Sequence, residues 1–584
     1  MRLAPFSVFR RVRALCLLGA ACAAPLPAQT AQAQTAPGRD ELRGVTQTEV
    51  PAGPRLDIAG GIERSPCPLA DPQYKDITVT IGEVRFNNLK GASPAELEPA
   101  WRPFAGSPQP VAVLCEIRDA AATILRNRGY LAAVQVPTQR IENGIVQLEV
   151  LYARVTAIRA RGETQGAERK LQDYLGKLTE DEIFNRYDAE RYLLLARDLP
   201  GYNVQLTLKP AGETPGELIG EVTVLRQPYT IDATVQNYAA SATGPWGGQL
   251  RASVIGLTGL GDATTLSLYS TSDLEEQQIV QASHEFRPGS EGLVLGGQFT
   301  YAWTRPDLGA AAAPGAELKA ETLFAGLSAD YPLRRTQGAS VWLGAGFDFI
   351  DQDVELIVPI SRDRLRVLWG RLRFDAVDLT RRLPGWRADG EIELRQGLAI
   401  FGATDGCLGA ACPPGVAPPS RFDGRADATL IRTRLSGELA LGESLAFAFE
   451  PRAQYAFRPV LAFEEFTTGN YTVGRGYDPG ALTGDSGVGI RAELRGPRLP
   501  IGSAGTVQFQ PYVFGDAARV WARNIDGSQR LYSAGGGFRG IVSDRFNFDA
   551  TLAVPLKDAG ILGQRGDVRF LLTLTARLLP WRTN

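Results

Sequence analysis

From Tyr229 onward the chain contains no convincing amphipathic helix. It offers runs of about ten residues that alternate apolar and polar side chains, broken by Gly, Pro, Asp or Asn. In Ser486–Arg495, Val488, Ile490, Ala492 and Leu494 share one face, while Gly489, Arg491, Glu493 and Arg495 share the other. Trp386–Leu398 sets Ala388, Ile392, Leu394 and Leu398 against Asp389, Glu391, Glu393 and Arg395. Near the end, Phe570, Leu572, Leu574, Ala576 and Leu578 oppose Arg569, Thr573, Thr575 and Arg577. Because strand side chains alternate strictly, each run has one apolar wall and one charged wall. Sixteen such runs begin near Tyr229, Gly247, Ala263, Ile279, Glu291, Ala316, Ser340, Leu365, Trp386, Phe422, Leu445, Ser486, Thr506, Arg530, Arg545 and Asp567. A large soluble sandwich would turn the charged wall to water. A membrane barrel inverts this, with lipid outside and a polar lumen inside. The last run lies at the end of the chain, so it can pair with the first and remove both sheet edges. The expected fold is membrane all-β: a 16-stranded outer-membrane β-barrel over residues 228–584, preceded by smaller modules.

The first residues support export. Arg2, Arg10, Arg11 and Arg13 precede an apolar run from Ala14 to Ala24, and an Ala31-Gln32-Ala33 site follows. This is the pattern of a secretory leader over 1–33, and the run is too short to span a bilayer. Its removal takes away four arginines and no acid, moving the formal net charge from −2 to −6. That balance argues against nucleic acid as a partner. Beyond the leader no stretch approaches the ~18 apolar residues of a membrane-spanning helix. Four cysteines remain, Cys67 with Cys115 and Cys407 with Cys412, and an even number in an exported chain favours disulfides over four free buried thiols. One histidine, His284, and no carboxylate cluster of ligand spacing give no metal site.

Residues 34–76, rich in Pro, Gly and polar side chains, read as a linker or plug-like segment. Next comes a strand over Ile77–Phe86 and a helix start at Ser93-Pro94 with Glu96 in its first turn. A longer helix follows from about Val111 to Arg128, then strands Leu131–Val136 and Ile145–Leu151 with an Asn143-Gly144 turn between them. The order strand, helix, helix, strand, strand then recurs. Val155–Arg159 is a strand, Lys170–Gly176 a short helix, Thr179 a cap for further helix, and Asp188–Arg197 helix before the strands Asn203–Leu208 and Leu218–Arg226. Arg128-Gly129-Tyr130 and Pro200-Gly201-Tyr202 hold equivalent places. Two copies of one α+β module, 77–152 and 153–227, are expected.

Within the barrel region Val473-Gly474-Arg475-Gly476-Tyr477 fixes one long cation between glycines, ahead of a Pro479-Gly480 turn. Arg475 keeps its charge and is costly to bury without an anion. Asp516 has the parity of Gln508 and Gln510 and should face the lumen, while Val507, Phe509 and Val513 face lipid. A loop folded back into the barrel would set Arg475 beside Asp516. The alternative is a solvated loop arginine and an ordinary turn aspartate.

Leader, two modules, sixteen strands and the Arg475-Gly476-Tyr477 loop resemble the two-partner-secretion transporters, the ShlB/FhaC/HecB-type hemolysin secretion and activation proteins of the BamA-like superfamily. The resemblance covers about residues 65–584, and it identifies the modules as POTRA domains. In that family the motif reads Val-Arg-Gly-Tyr or Phe, whereas here Gly474 stands between Val473 and Arg475. The resemblance implies that the sixth extracellular loop enters the lumen and that its arginine pairs with an aspartate on strand thirteen, which by count is Asp516. It also implies that Cys67 and Cys115 are the pair bracketing the first part of the first POTRA domain.

The function so implied is passage of an unfolded exoprotein, an adhesin, hemolysin or toxin, from POTRA domains in the periplasm through an outer-membrane pore. Strand addition at exposed sheet edges would receive it. Arg475 and Asp516 would act as conformational residues, without cofactor and without catalysis. Partners are the exoprotein, outer-membrane lipid, periplasmic chaperones and the barrel assembly machinery. Barrel assembly of the BamA or TamA type is the alternative, although those relatives usually carry three or more POTRA domains. A porin would not need the modules. A serine hydrolase reading of Gly484-Asp485-Ser486-Gly487 lacks a partner, because His284 reads as an ordinary strand residue. Trp303, Trp342, Trp369, Trp386, Trp521 and Trp581 lie near strand ends and suit interfacial girdles.

Overall fold

The computed structural model describes residues 36–44, 66–212, 216–307, 317–380, 384–407, 412–413, 416–501, 507–543, 545–559 and 566–580. The expected leader and Trp581 lie outside them. Apart from a six-residue helix, α1 (Arg39–Gly44), the described chain opens with two modules of equal order. The first comprises β1 (Thr78–Thr80), β2 (Glu83–Asn87), α2 (Pro94–Trp101), β3 (Pro108–Pro110), α3 (Val113–Asn127), β4 (Ala132–Gln135) and β5 (Ile145–Tyr152). The second comprises β6 (Arg154–Gly162), α4 (Glu168–Glu180), α5 (Arg186–Arg197), β7 (Tyr202–Pro210) and β8 (Glu217–Arg226). In each three-stranded sheet, β2-β5-β4 and β6-β8-β7, the last strand sits in the centre, parallel to the first of the three and antiparallel to the one before it, while β1 and β3 of the first module form a separate antiparallel pair. Two edges per sheet therefore stay unpaired within the described chain.

Local chemistry sets the boundaries. Ser93 and Glu96 close a capping box over Pro94 at the start of α2, with Ser93 N donating to Glu96 Oε2 at 2.7 Å. The single strand expected over Ile77–Phe86 is split, because Gly82 turns to bond the carbonyl of Gly144 at 2.8 Å and Ile81 drops into the core. Thr179 caps nothing. Leu171, Tyr174, Leu175 and Leu178 keep helical spacing on a buried face, so α4 runs through it, and Asn185 caps α5 by accepting from Tyr187 N at 2.9 Å.

The two equivalent glycines share a task. Gly129 ends α3 at φ +93°, and a Cβ there would meet Asn185 and Tyr187 of the second module. Gly201 follows α5 at φ +68°, and a Cβ there would strike Ile255 of the barrel at 2.6 Å. Each lets its module approach the next body at backbone distance.

The barrel closes: Tyr229–Gln236 pairs with Gly247–Ile255 on one side and with Arg569–Leu579 on the other. It has sixteen antiparallel strands, among them the third (Ala263–Thr271), fourth (Gln277–Phe286), fifth (Val294–Thr304), seventh (Ala339–Glu355), ninth (Trp386–Gly397), tenth (Thr429–Ala440), eleventh (Ala446–Ala456), fourteenth (Gln529–Val542) and fifteenth (Phe546–Pro555). The twelfth is interrupted, Ser486–Arg495 and Leu499–Ile501 both pairing with the thirteenth, Val507–Trp521. Among the described residues no helix is long and apolar enough to cross a membrane, and crossing falls to the strands. The outer wall exposes Leu250, Leu327, Ile392 and Val513, the first and third facing away from lumenal Arg251 and Glu393. The tenth strand starts at Thr429 rather than near Phe422, which lies exposed in the preceding loop. Trp303 and Trp386 face outward and exposed, as a girdle requires. Trp369 does not. Its ring turns inward and Nε1 donates to Asp348 at 2.9 Å, and Trp342 shares that inward face beneath Arg373. Both are half of an inward stripe of alternation that wide Trp spacing alone does not reveal.

Both cysteine pairs form disulfides, Cys67–Cys115 tying the approach to β1 onto α3 and Cys407–Cys412 closing a short loop beyond strand nine.

The second module docks on three turns of the barrel. Ile255 joins its apolar core. Lys170 Nζ donates to Gly289 O at 2.5 Å, Arg335 grips Asp198 with two bonds of 2.7 Å, and Gln337 N donates to Glu190. A bidentate guanidinium–carboxylate pair this sheltered contributes about 2 kcal/mol. Asp198→Arg should therefore loosen the dock and lower export severalfold, and Arg335→Asp in the same chain should restore part of it. Export equal to wild type in the single variant would show that this pair does not hold the module.

Candidate functional site

The segment between strands eleven and twelve, 457–485, folds back into the barrel instead of extending away from it. Phe466, Val473, Tyr477 and Leu482 pack against Ala518, Val520 and Leu531 of the barrel wall. Gly474, the residue added between Val473 and Arg475, adopts φ +115°, and a Cβ there would meet Leu531 at 2.8 Å. It supplies the turn that aims the arginine, with Tyr477 N donating back to Gly474 O at 2.9 Å. Gly476 lies against strand fifteen, where a Cβ would stand 2.8 Å from Pro555 N.

Arg475 meets Asp516 on strand thirteen through Nη2–Oδ1 at 2.7 Å and Nε–Oδ2 at 3.1 Å, and its backbone N donates to Oδ2 at 2.9 Å. Its Nη1 reaches Glu493 Oε1 on strand twelve at 2.6 Å, and the guanidinium lies 3.6 Å from the centroid of Phe514. Ser533 donates a further bond to Asp516. Arg475 is 3% exposed and Asp516 4%, so the cation is desolvated and every face of it is answered. The sequence parity that singled out Asp516 applies equally to Glu493, which faces the same lumen; only the loop's path selects both. Tyr477 Oη lies 2.8 Å from Tyr532 O and 2.7 Å from Lys557 O, pinning the motif to strands fourteen and fifteen.

The rest of the loop is tied down by residues that sequence reading missed. Glu464 receives Arg395 from strand nine at 2.7 Å and Arg432 from strand ten at 2.8 Å. Arg395 also bonds Asp348 and Glu393. Asp478 pairs with Arg569 of the last strand and accepts from Ser241 of the first loop. Asp485, fully buried, accepts from Arg421 at 2.5 Å, Val460 N at 2.8 Å and Arg523 N at 2.8 Å, joining three loops at one end of the barrel. The only advance signal was a run of charges at lumen parity.

The second lumenal body is α1. Arg39 bonds Glu393 at 2.8 Å, Asp40 bonds Arg452 at 2.5 Å and Thr467 at 3.2 Å, and Leu42 packs with Tyr269, Ile279, Phe324 and Phe463. The plug-like segment thus contains a short helix seated in the pore. His284, by contrast, is remote from any such cluster and shares a bond of 2.9 Å with Thr264 on the neighbouring strand.

A closed barrel with loop and helix packed in its lumen and sheet modules docked at one mouth defines the class of outer-membrane barrels whose lumen is occupied by their own chain. The model of the haemolysin secretion/activation proteins ShlB/FhaC/HecB matches residues 222–540, and that of the ShlB-type POTRA domain matches residues 79–152. The chain belongs to this haemolysin secretion/activation family. It is 23% identical over 549 residues to the heme/hemopexin transporter protein HuxB of Haemophilus influenzae strain 86-028NP, covering 88% of this chain and 90% of that protein. Its fold is similar to CdiB from Escherichia coli, with TM-score 0.71 and 17% identity over 89% of this chain and 94% of that one. CdiB from Acinetobacter baumannii gives TM-score 0.63 and 19% identity over 92% and 96%. The protein is an outer-membrane two-partner secretion transporter with its POTRA modules in the periplasm.

Proposed function

We propose that this transporter rests in a closed state with α1 seated in its lumen, its inner loop anchored to the wall by Arg475, and opens when an exoprotein engages its two POTRA modules, 77–152 and 153–227. The observation that carries this reading is the Arg475–Asp516–Glu493 cluster: an internal loop anchored by a desolvated cation to two strands of its own pore. Strand edges such as Glu83–Asn87 and Tyr202–Pro210 offer unpaired backbone to an extended passenger. The passenger is a large exported protein, met with periplasmic chaperones keeping it unfolded, while the barrel assembly machinery and outer-membrane lipid serve the barrel itself. The reading is non-enzymatic. Ser486 Oγ accepts from Ala456 N at 3.0 Å, and Asp485 anchors loops. The test is secretion of its exoprotein substrate. Deleting residues 77–152 should abolish its appearance in the supernatant while the barrel still reaches the outer membrane. Undiminished secretion would sink the proposed role of the first module.

A further inference from the structure

The lumen wall is divided. On strands nine to twelve its inward positions are crowded with charge, exemplified by Glu393, Arg395, Arg432, Arg452, Arg491 and Glu493, and these groups bond one another, the loop or α1. On strands two to five, with register Ser267 opposite Gln281 and Gln281 opposite Thr300, the inward positions carry charge only at Arg251 and Glu285 among the described residues. The remainder are hydroxyls, amides and small or apolar side chains. They bond each other neutrally: Gln249 Nε2 donates to Ser267 at 2.7 Å, and Ser253 and Thr265 share a bond of 2.9 Å.

This sparsely charged wall borders the free space. A cavity of about 150 Å³ lies between α1 and strands two to five, lined by Thr265, Ser267, Gln281, Ser283, Gln298 and Thr300, with Arg251 of the wall and Arg39 of α1 as its charged residues. It is polar and wide enough for water. One amide of this wall and one beyond it already hold a peptide in the manner required. Gln281 Nε2 donates to the main-chain carbonyl of Leu42 at 3.2 Å, and Gln352 Nε2 on strand seven donates to that of Pro37 at 3.4 Å. These bonds read backbone, not side chain. Above the cavity, Ile279, Ala302 and Phe324 continue the uncharged surface against Leu42 and Phe463.

We infer that the exoprotein crosses the barrel along the sparsely charged wall of strands two to five, its backbone bonding the hydroxyls and amides of Ser267, Gln281, Ser283, Gln298 and Thr300 in succession. The inference rests on the transporter function. A chain that must move cannot be held by strong sites. Hydroxyl and amide groups both donate and accept, so a bond to one carbonyl is replaced by a bond to the next as the chain advances. Fixed charges would catch side chains of opposite sign more strongly, and here the charged wall is occupied by the loop that must stay anchored during passage. The path is therefore tolerant of passenger sequence and set by wall chemistry.

The test uses the full-length protein and its exoprotein, stalled in transit by a disulfide-bonded domain fused to the exoprotein's carboxy end. A photoreactive residue at position 267 or 283 should cross-link to the stalled chain, and one at Ser436, inward on strand ten beside Asp389, should not. Ser283→Arg should cut secretion at least tenfold at equal barrel levels. Cross-linking from 436 with none from 267 or 283 would overturn the inference, as would wild-type secretion by Ser283→Arg. Ongoing secretion with no cross-link from any of the three positions would overturn passage through the lumen itself.

Discussion

Arg475→Ala is expected to abolish secretion while the barrel remains folded in the outer membrane. The change strips Asp516 of the two side-chain bonds that answer its charge, leaving only the Arg475 backbone N and Ser533, and removes one cation from Glu493. Breaking a buried pair by deleting one partner costs about 3–5 kcal/mol. Glu493 still holds Arg495 and Arg539, and Glu464 still ties the loop's start to Arg395 and Arg432, so the barrel wall itself keeps its pairing. The loss falls on the motif's position. Asp516→Ala should match it, and the double variant should be no worse than either single, because the two act as one unit. Arg475→Lys should recover little: an ammonium cannot fork to Asp516, reach Glu493 and lie over Phe514 together. The measurement is passenger in the supernatant at equal barrel levels, with heat-modifiable mobility as the folding control. Full secretion by Arg475→Ala would remove the loop anchor from the mechanism.

Asp485→Ala is the second large effect. One carboxylate satisfies Arg421, Val460 N and Arg523 N, and Gln454 Nε2 donates to its carbonyl at 2.9 Å. Without it Arg421 retains Glu465 and Asp423, but two backbone N–H groups lose their acceptor, each at about 1–3 kcal/mol. The barrel strands do not depend on these bonds, so the expected result is a folded barrel whose loops near 421, 460 and 523 open to added protease on whole cells. Raised single-channel conductance should accompany it. Asp485→Asn should lie between, keeping one acceptor without the charge. Protease resistance and conductance equal to wild type would show that the three loops hold together without this residue.

How far these residues could be read in advance differs by the range of the interaction. Strand alternation is local: Val488 to Leu494 announced an apolar outer face, and Glu493, Arg495 and Asp516 an inner one, because side-chain direction in a strand has period two. Trp342 and Trp369 show the same rule from the other side. Position near a strand end suggested a girdle, but parity places both inward. The continuous α4 was legible in the spacing of Leu171, Tyr174 and Leu178, yet Thr179 with its acidic followers imitated a cap. Gly474 looked like a departure from the motif, and its φ shows it to be part of the turn that delivers Arg475.

Local period alone sets the sixteen alternating strands, their inner and outer faces, the repeated module order, and a loop arginine with an inward aspartate to meet it. Which of the many inward charges meet is settled by the closed fold. Barrel closure brings residues hundreds of positions apart to one lumen, so Arg39 finds Glu393 and Asp40 finds Arg452, and the folded-back loop lets Arg475 find Glu493 as well as Asp516. No periodicity specifies such pairs; they are chosen by desolvation, which makes each buried charge pair with whatever opposite charge the closed wall sets within reach.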